Sequence, residues 1–175
     1  MDDDRVSDAI NAALKLVGKS SREADLKSFL RGENINPEKT AWCAAFMNSV
    51  FRKAGIDPPK SQLATYYLNW GRKVERSDLQ PGDVAVFGRD SHNKWGKPRF
   101  GAIGHAAIVQ DVRPDGSVLV ISGDAGHTRD GTTYVMHEDL PANNAALGAA
   151  EFRRAPSVAA PHAGRIRVMT RMIVK

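Results

Sequence analysis

The chain has 175 residues, 42% of them hydrophobic and 26% charged, which fits one domain able to bury a real core. It contains no run of about 18 apolar residues, so a membrane-spanning helix is not expected, and its single cysteine excludes an internal disulfide. The net charge of +5 suits an anionic environment, but Lys and Arg are scattered rather than clustered, so the basic footprint of a nucleic-acid binder is missing.

The N-terminus, MDDDRVSD, is acidic and polar, the opposite of a secretory signal. Action outside the cytoplasm would therefore require another carrier. Residues 5–17 read as a helix, with Val6, Ile10, Leu14 and Val17 at three- and four-residue spacing and Gly18 as the stop. A second short helix is expected over 21–31 from Leu26, Phe29 and Leu30, and Gly32 to Pro37 breaks the pattern. In TAWCAAFMNSVFRKAG, Trp42, Phe46 and Val50 form one stripe. Thr40 is the expected N-cap, Arg52 and Lys53 suit the negative end of the dipole, and Gly55 is a natural stop. Residues 61–70 suggest one more short helix.

From Pro81 the texture changes. DVAVF, HAAIVQDV and SVLVIS are short, β-branched and bounded by Gly, Pro and Asp, which predicts strands. Helices followed by strands predict an α+β domain with a small antiparallel sheet. Residues 88–104, rich in Gly, Lys and Arg, read as a long surface loop. FRRA near residue 152 reads as a last strand, and 156–175 as a tail or an extra strand.

Cys43 falls in the first turn of the best-defined helix. Unpaired amides and the positive end of the dipole favour thiolate over thiol there, and the same amides can receive the oxyanion of an attacked carbonyl. A small buried thiol would fit the apolar surroundings equally well. A nucleophile needs a base, and of the five histidines His105 is the one that opens a strand. That strand ends in RPDG, a tight-turn signature. If the turn spans Arg113 to Gly116, Val112 pairs with Ser117, and counting back along both strands sets His105 opposite Asp124. Cross-strand neighbours lie about 5 Å apart at Cβ, close enough for a carboxylate to orient an imidazole.

These residues resemble the NlpC/P60–CHAP superfamily of papain-like cysteine peptidases and amidases, in particular a small phage- and prophage-associated branch. WCAAFMNSVFRKAGI is similar to its nucleophile helix and SQLATYYLNWG to the segment that follows. PGDVAVF, GHAAIV and ISGDAG resemble three of its strands, the second bearing the histidine, and EFRRA the closing strand. The resemblance covers residues 40–155 and implies one catalytic domain over 1–155. It implies a papain-like fold and hydrolysis of an amide bond in the peptidoglycan stem peptide, by a D,L-endopeptidase or an amidase. Cys43 would be the nucleophile, His105 the base and Asp124 the third residue, where close relatives carry Asn. Trp42, Gly104 and Gly123 are expected to line the substrate cleft.

No cofactor or metal is expected. Delivery to the wall would go through a holin, a phage particle or a secretion apparatus, and an inhibitor protein is an expected partner. Three rivals stand beside this reading. One is a metal-dependent hydrolase using His105, Asp124 and His127. Another is a non-catalytic module binding cell wall or polyanions. The third is a Cys-His deamidase or acyltransferase on the same fold.

Overall fold

A computed structural model describes residues 3–88, 104–142 and 151–156. The first helix, α1, spans Asp3–Leu14, three residues shorter at its end than the periodicity predicts. The chain beyond it turns at Gly18 instead and runs along the edge of the sheet, where the amide of Gly18 bonds the carbonyl of Val135 and that of Ser21 bonds Thr133. This strip pairs backbone groups that an edge strand would otherwise leave open.

The second helix, α2, covers only Ala24–Phe29, and the rest of the expected element is a 3-10 turn at Arg31–Glu33. Helix α3, Cys43–Lys53, is the centre of the domain: every residue from Cys43 to Phe51 is buried. Only a helix walled in on all sides reads this way. The predicted helix over 61–70 is a 3-10 segment, Ala64–Asn69.

Six strands form one fully antiparallel sheet in the order β1-β6-β2-β3-β4-β5. They are β1 Arg72–Val74, β2 Val84–Gly88, β3 Gly104–Val112, β4 Val118–Ala125, β5 Tyr134–Leu140 and β6 Glu151–Arg154. Sequence reading finds four of the six. It misses β1, which has three residues and two of them exposed, and β5, whose YVMHEDL is polar at three successive positions. The expected loop over 88–104 and the tail over 156–175 lie almost wholly outside the described residues.

Each strand divides its side chains between two clusters, as the two-residue period requires. Val84, Val86, Ala106, Ile108, Ile121 and Val135 face the helices and join Trp42, Phe46 and Val50. Ala85, Ala107, Val109, Val118 and Val120 face the other way and pack with Val74, Leu140 and Phe152. Next to this second cluster a bidentate pair locks β6 to the start of β2. The Nε and an Nη of Arg154 donate to the two carboxylate oxygens of Asp83 at 2.7 and 2.8 Å, and Asp83 is wholly buried.

The β3–β4 hairpin differs from its predicted register in two places. Val112 pairs with Val118 rather than Ser117. The turn holds one more residue, closed by Arg113 N–H to Ser117 C=O at 2.9 Å, with Gly116 at φ 81. A three-residue loop with a left-handed glycine is a favoured alternative to the tighter turn. The register then shifts back between Val109 and Asp111, leaving Ile108 opposite Ile121. The bulge thus offsets the longer turn, and the inner half of the hairpin has the pairing that sequence counting predicts.

Candidate active site

The site forms where the N-terminus of α3 meets the beginning of β3. Cys43 is the first residue of α3, 4% exposed, and its Sγ donates to the Gly104 carbonyl at 3.8 Å. Gly104 opens β3, and a side chain there would press on Thr65, so the 3-10 segment lies directly over this strand end. The amides of the first helical turn have no acceptor within the helix, so they point toward the space beside the thiol.

Thr40 is not the cap. The cap position belongs to Trp42, at φ −129 and ψ 9, with no side-chain capping bond. What sits at the helix entrance is Asp124, 4% exposed, whose Oδ2 accepts the Trp42 amide at 3.3 Å. A carboxylate at the positive end of the helix dipole is electrostatically favoured. Asp124 reaches this place because its backbone is left-handed, at φ 56, in the irregular stretch between Ser122 and Ala125 where β4 and β5 change register.

His105 is 4% exposed and shares its strand face with Ala107 and Val109. Its Nε2 lies 3.6 Å from Oε2 of Glu138. Burial alone would lower its pKa. Hydrogen bonds to Cys43 and Glu138, together with the charges of both, outweigh that and raise it from 6.5 to about 9. The ring therefore stands between the sulfur of Cys43 and a carboxylate, and negative charge on either favours the imidazolium.

Glu138 was not foreseen from sequence. It comes from β5, across from Val120 of β4 and therefore on the same face as His105. The wholly buried Ser122, two residues further along β4, donates its hydroxyl to the same Oε2 at 2.6 Å. Ser122 belongs to the ISGDAG motif, yet nothing in its local sequence signals a carboxylate two strands away from the histidine.

Two of the expected cleft residues turn out to be core. Trp42 is wholly buried, with its indole N–H on Thr133 Oγ1 at 2.8 Å. It packs edge-on to Phe46, with ring centroids 6.2 Å apart. Gly123 lies beneath both: a Cβ there would come within 2.6 Å of Trp42 and 2.8 Å of Phe46. Glycine at 123 lets α3 settle on β4, which holds Cys43 at its height above the sheet. Gly104 alone of the three remains beside the thiol. His127 is exposed, and among the described residues no three of His, Cys, Asp and Glu are grouped to hold a metal ion.

Known proteins resemble the chain in family and fold. The family model described as CHAP domain matches residues 35–124, from before Cys43 to Asp124. The gamma-DL-glutamyl hydrolase of Bacillus subtilis (strain 168) is 40% identical over 60 residues, covering 34% of this chain and 14% of that protein. A crystal structure of a protein described as similar to lipoprotein, of the NLP/P60 family, from Staphylococcus aureus subsp. aureus Mu50 superposes with a TM-score of 0.54. It shares 19% identity, over 89% of this chain and 43% of that one, so the likeness is one of fold. In both cases the chain spans less than half of the relative.

Proposed function

Because the chain belongs to the CHAP domain family, within the NlpC/P60–CHAP superfamily, we propose that it is a cysteine hydrolase that cuts an amide bond of the peptidoglycan stem peptide. The observation that carries the reading is that Cys43 begins α3 and stands beside His105, close enough to raise the pKa of the imidazole. A thiol in that place has a proton acceptor beside it and helix amides facing the carbonyl it would attack.

The reaction follows from the pair. His105 takes the thiol proton, and Cys43 Sγ adds to the carbonyl carbon of the scissile amide. The carbonyl oxygen becomes an oxyanion facing the first-turn amides of α3, which is the arrangement that lowers such barriers. His105, now imidazolium, gives its proton to the amide nitrogen. The C–N bond breaks, the amine leaves, and a thioester remains on Cys43. Water then loses a proton to His105 and adds to the thioester; the carboxylate product departs and the thiol is restored.

The Bacillus relative is named for hydrolysis of a gamma-DL-glutamyl bond. It supports the endopeptidase cut over the amidase cut. The proposed place of action is the cell wall, reached through a holin, a phage particle or a secretion apparatus, and the net charge of +5 suits that polyanionic setting.

The test is mass spectrometry of the muropeptides released from purified sacculi. The wild type should release new ends at one bond, and Cys43→Ala should release none. Equal release by both proteins would exclude Cys43 as nucleophile. Binding to sacculi without cleavage by either would mark a non-catalytic wall-binding module.

A further inference from the structure

The imidazole of His105 needs a partner on the nitrogen that faces away from the thiol, because an unoriented ring samples the wrong tautomer. The sequence offers Asp124 for this role. The structure records Asp124 at the entrance to α3, with Oδ2 on the Trp42 amide and the backbone bent to left-handed φ. It records Glu138 at Nε2 of His105, at 3.6 Å. Glu138 is itself held: the buried hydroxyl of Ser122 donates to the same oxygen at 2.6 Å, fixing the rotamer that aims the carboxylate at the ring.

We propose that Glu138 is the positioning carboxylate of His105 and Ser122 its anchor. The reactive array then runs from α3 through β3 to β5, and Asp124 serves the helix entrance. Glu138 lies on β5, beyond the family-matched residues 35–124. A separation of 3.6 Å is that of a charge pair that tightens when substrate excludes water. The inference rests on the Cys43–His105 reading, but its test does not require turnover.

The other groups around His105 can be named. Helix α3 brings Cys43, and β4 brings Asp124. Strand β2, which pairs its Phe87 with His105, brings no titratable residue. The 3-10 segment brings Tyr66 and Tyr67, of which Tyr67 is buried and bonded to Asn48. Its pKa is pushed well above 10 by burial, so it stays neutral across the range of interest. Helix α1 approaches β3 near Val109, where Val6 meets Gly82. That is about 13 Å along the strand from His105. Cys43 and Glu138 are the groups that raise the pKa of the histidine, in that order.

The experiment is an NMR titration of the His105 ring in wild type, Glu138→Gln, Ser122→Ala and Asp124→Asn. It is paired with kcat and KM on sacculi and with the pH profile of Cys43 alkylation by iodoacetamide. Glu138→Gln should lower the His105 midpoint by about one unit or more and cut kcat at least ~10-fold, with KM little changed. Glu138→Asp should recover part of both. Ser122→Ala keeps the charge but frees it, so it should shift the midpoint in the same direction by less. It also serves if Glu138→Gln fails to fold. Asp124→Asn should leave the midpoint in place. A wild-type midpoint in Glu138→Gln, or in Ser122→Ala where Glu138→Gln does not fold, would overturn the proposal. So would an Asp124→Asn shift as large as the one expected of Glu138→Gln. If sacculi stay intact with wild type while the midpoint follows Glu138, the positioning stands and the proposed substrate falls. If wild type and Glu138→Gln cut equally, the reverse holds.

Discussion

The two ends of α3 both carry buried polar groups, and they use them in opposite ways. At the C-terminal end, Glu33 is enclosed and satisfied. One Oε accepts from Asn48 at 3.1 Å, the other pairs with Arg52, and Asn48 in turn takes the Tyr67 hydroxyl at 2.8 Å. Every member is spent on another. At the N-terminal end, His105 is equally buried, but it stands between Cys43 and Glu138, groups whose protonation it can exchange or steer. Burial at one end makes a brace and at the other holds the proposed base, and the difference lies in whether the proposed nucleophile is among the partners.

The largest break in this symmetry is Cys43→Ala. Sacculus cleavage should fall by about 10⁴-fold or more, while the melting temperature, read by calorimetry, should barely move, because a small side chain replaces a small one. Glu33→Ala inverts the pattern. It should cost about 2 kcal/mol in urea unfolding, the scale of a hydrogen-bonded buried charge, and leave the specific activity of the folded protein close to wild type.

Gly123→Ala tests how the helix is seated. Its new Cβ would meet Trp42 and Phe46 below 3 Å, so about 1–3 kcal/mol should be lost. Activity should also drop, because α3 must lift away from β4 and take Cys43 with it. Asp124→Ala should cost about 1 kcal/mol, as loss of a helix-end acceptor does.

The smallest effect is one of pH. The folded His105 has its pKa raised above the ordinary 6.5, to about 9. Its contribution to stability is therefore complete below pH about 6.5 and disappears as pH rises through about 9. The difference in melting temperature between wild type and His105→Asn should shrink over that window. A constant difference from pH 6 to 10 would show that the folded ring does not hold its proton more tightly than the unfolded one.

Legibility in the sequence followed the strength of local patterns. The helix around Cys43 was plain because a full apolar stripe, basic residues and Gly55 agree on one element. Four strands were plain because β-branched runs lie between turn residues. The fifth strand was not, since its Met136, His137, Glu138 and Asp139 lack alternation on an edge where solvent tolerates any of them. With β5 went Glu138. Trp42 and Gly123, expected in the cleft, adjoin site residues in sequence. Adjacency along a helix or strand sends neighbouring side chains to different faces, and both belong to the packed side.

By itself the sequence determined that a cysteine begins a buried helix and that a histidine begins a strand, because capping, periodicity and turn chemistry act over a few residues. Where Asp124 and Glu138 stand was decided by the tertiary structure alone. Their places depend on a bulge offsetting a longer turn, on a left-handed residue that carries Asp124 to the helix, and on a neighbouring strand that sets Glu138 on the histidine's face. Each of these is a relation between segments distant in the chain, and no local window of sequence contains it.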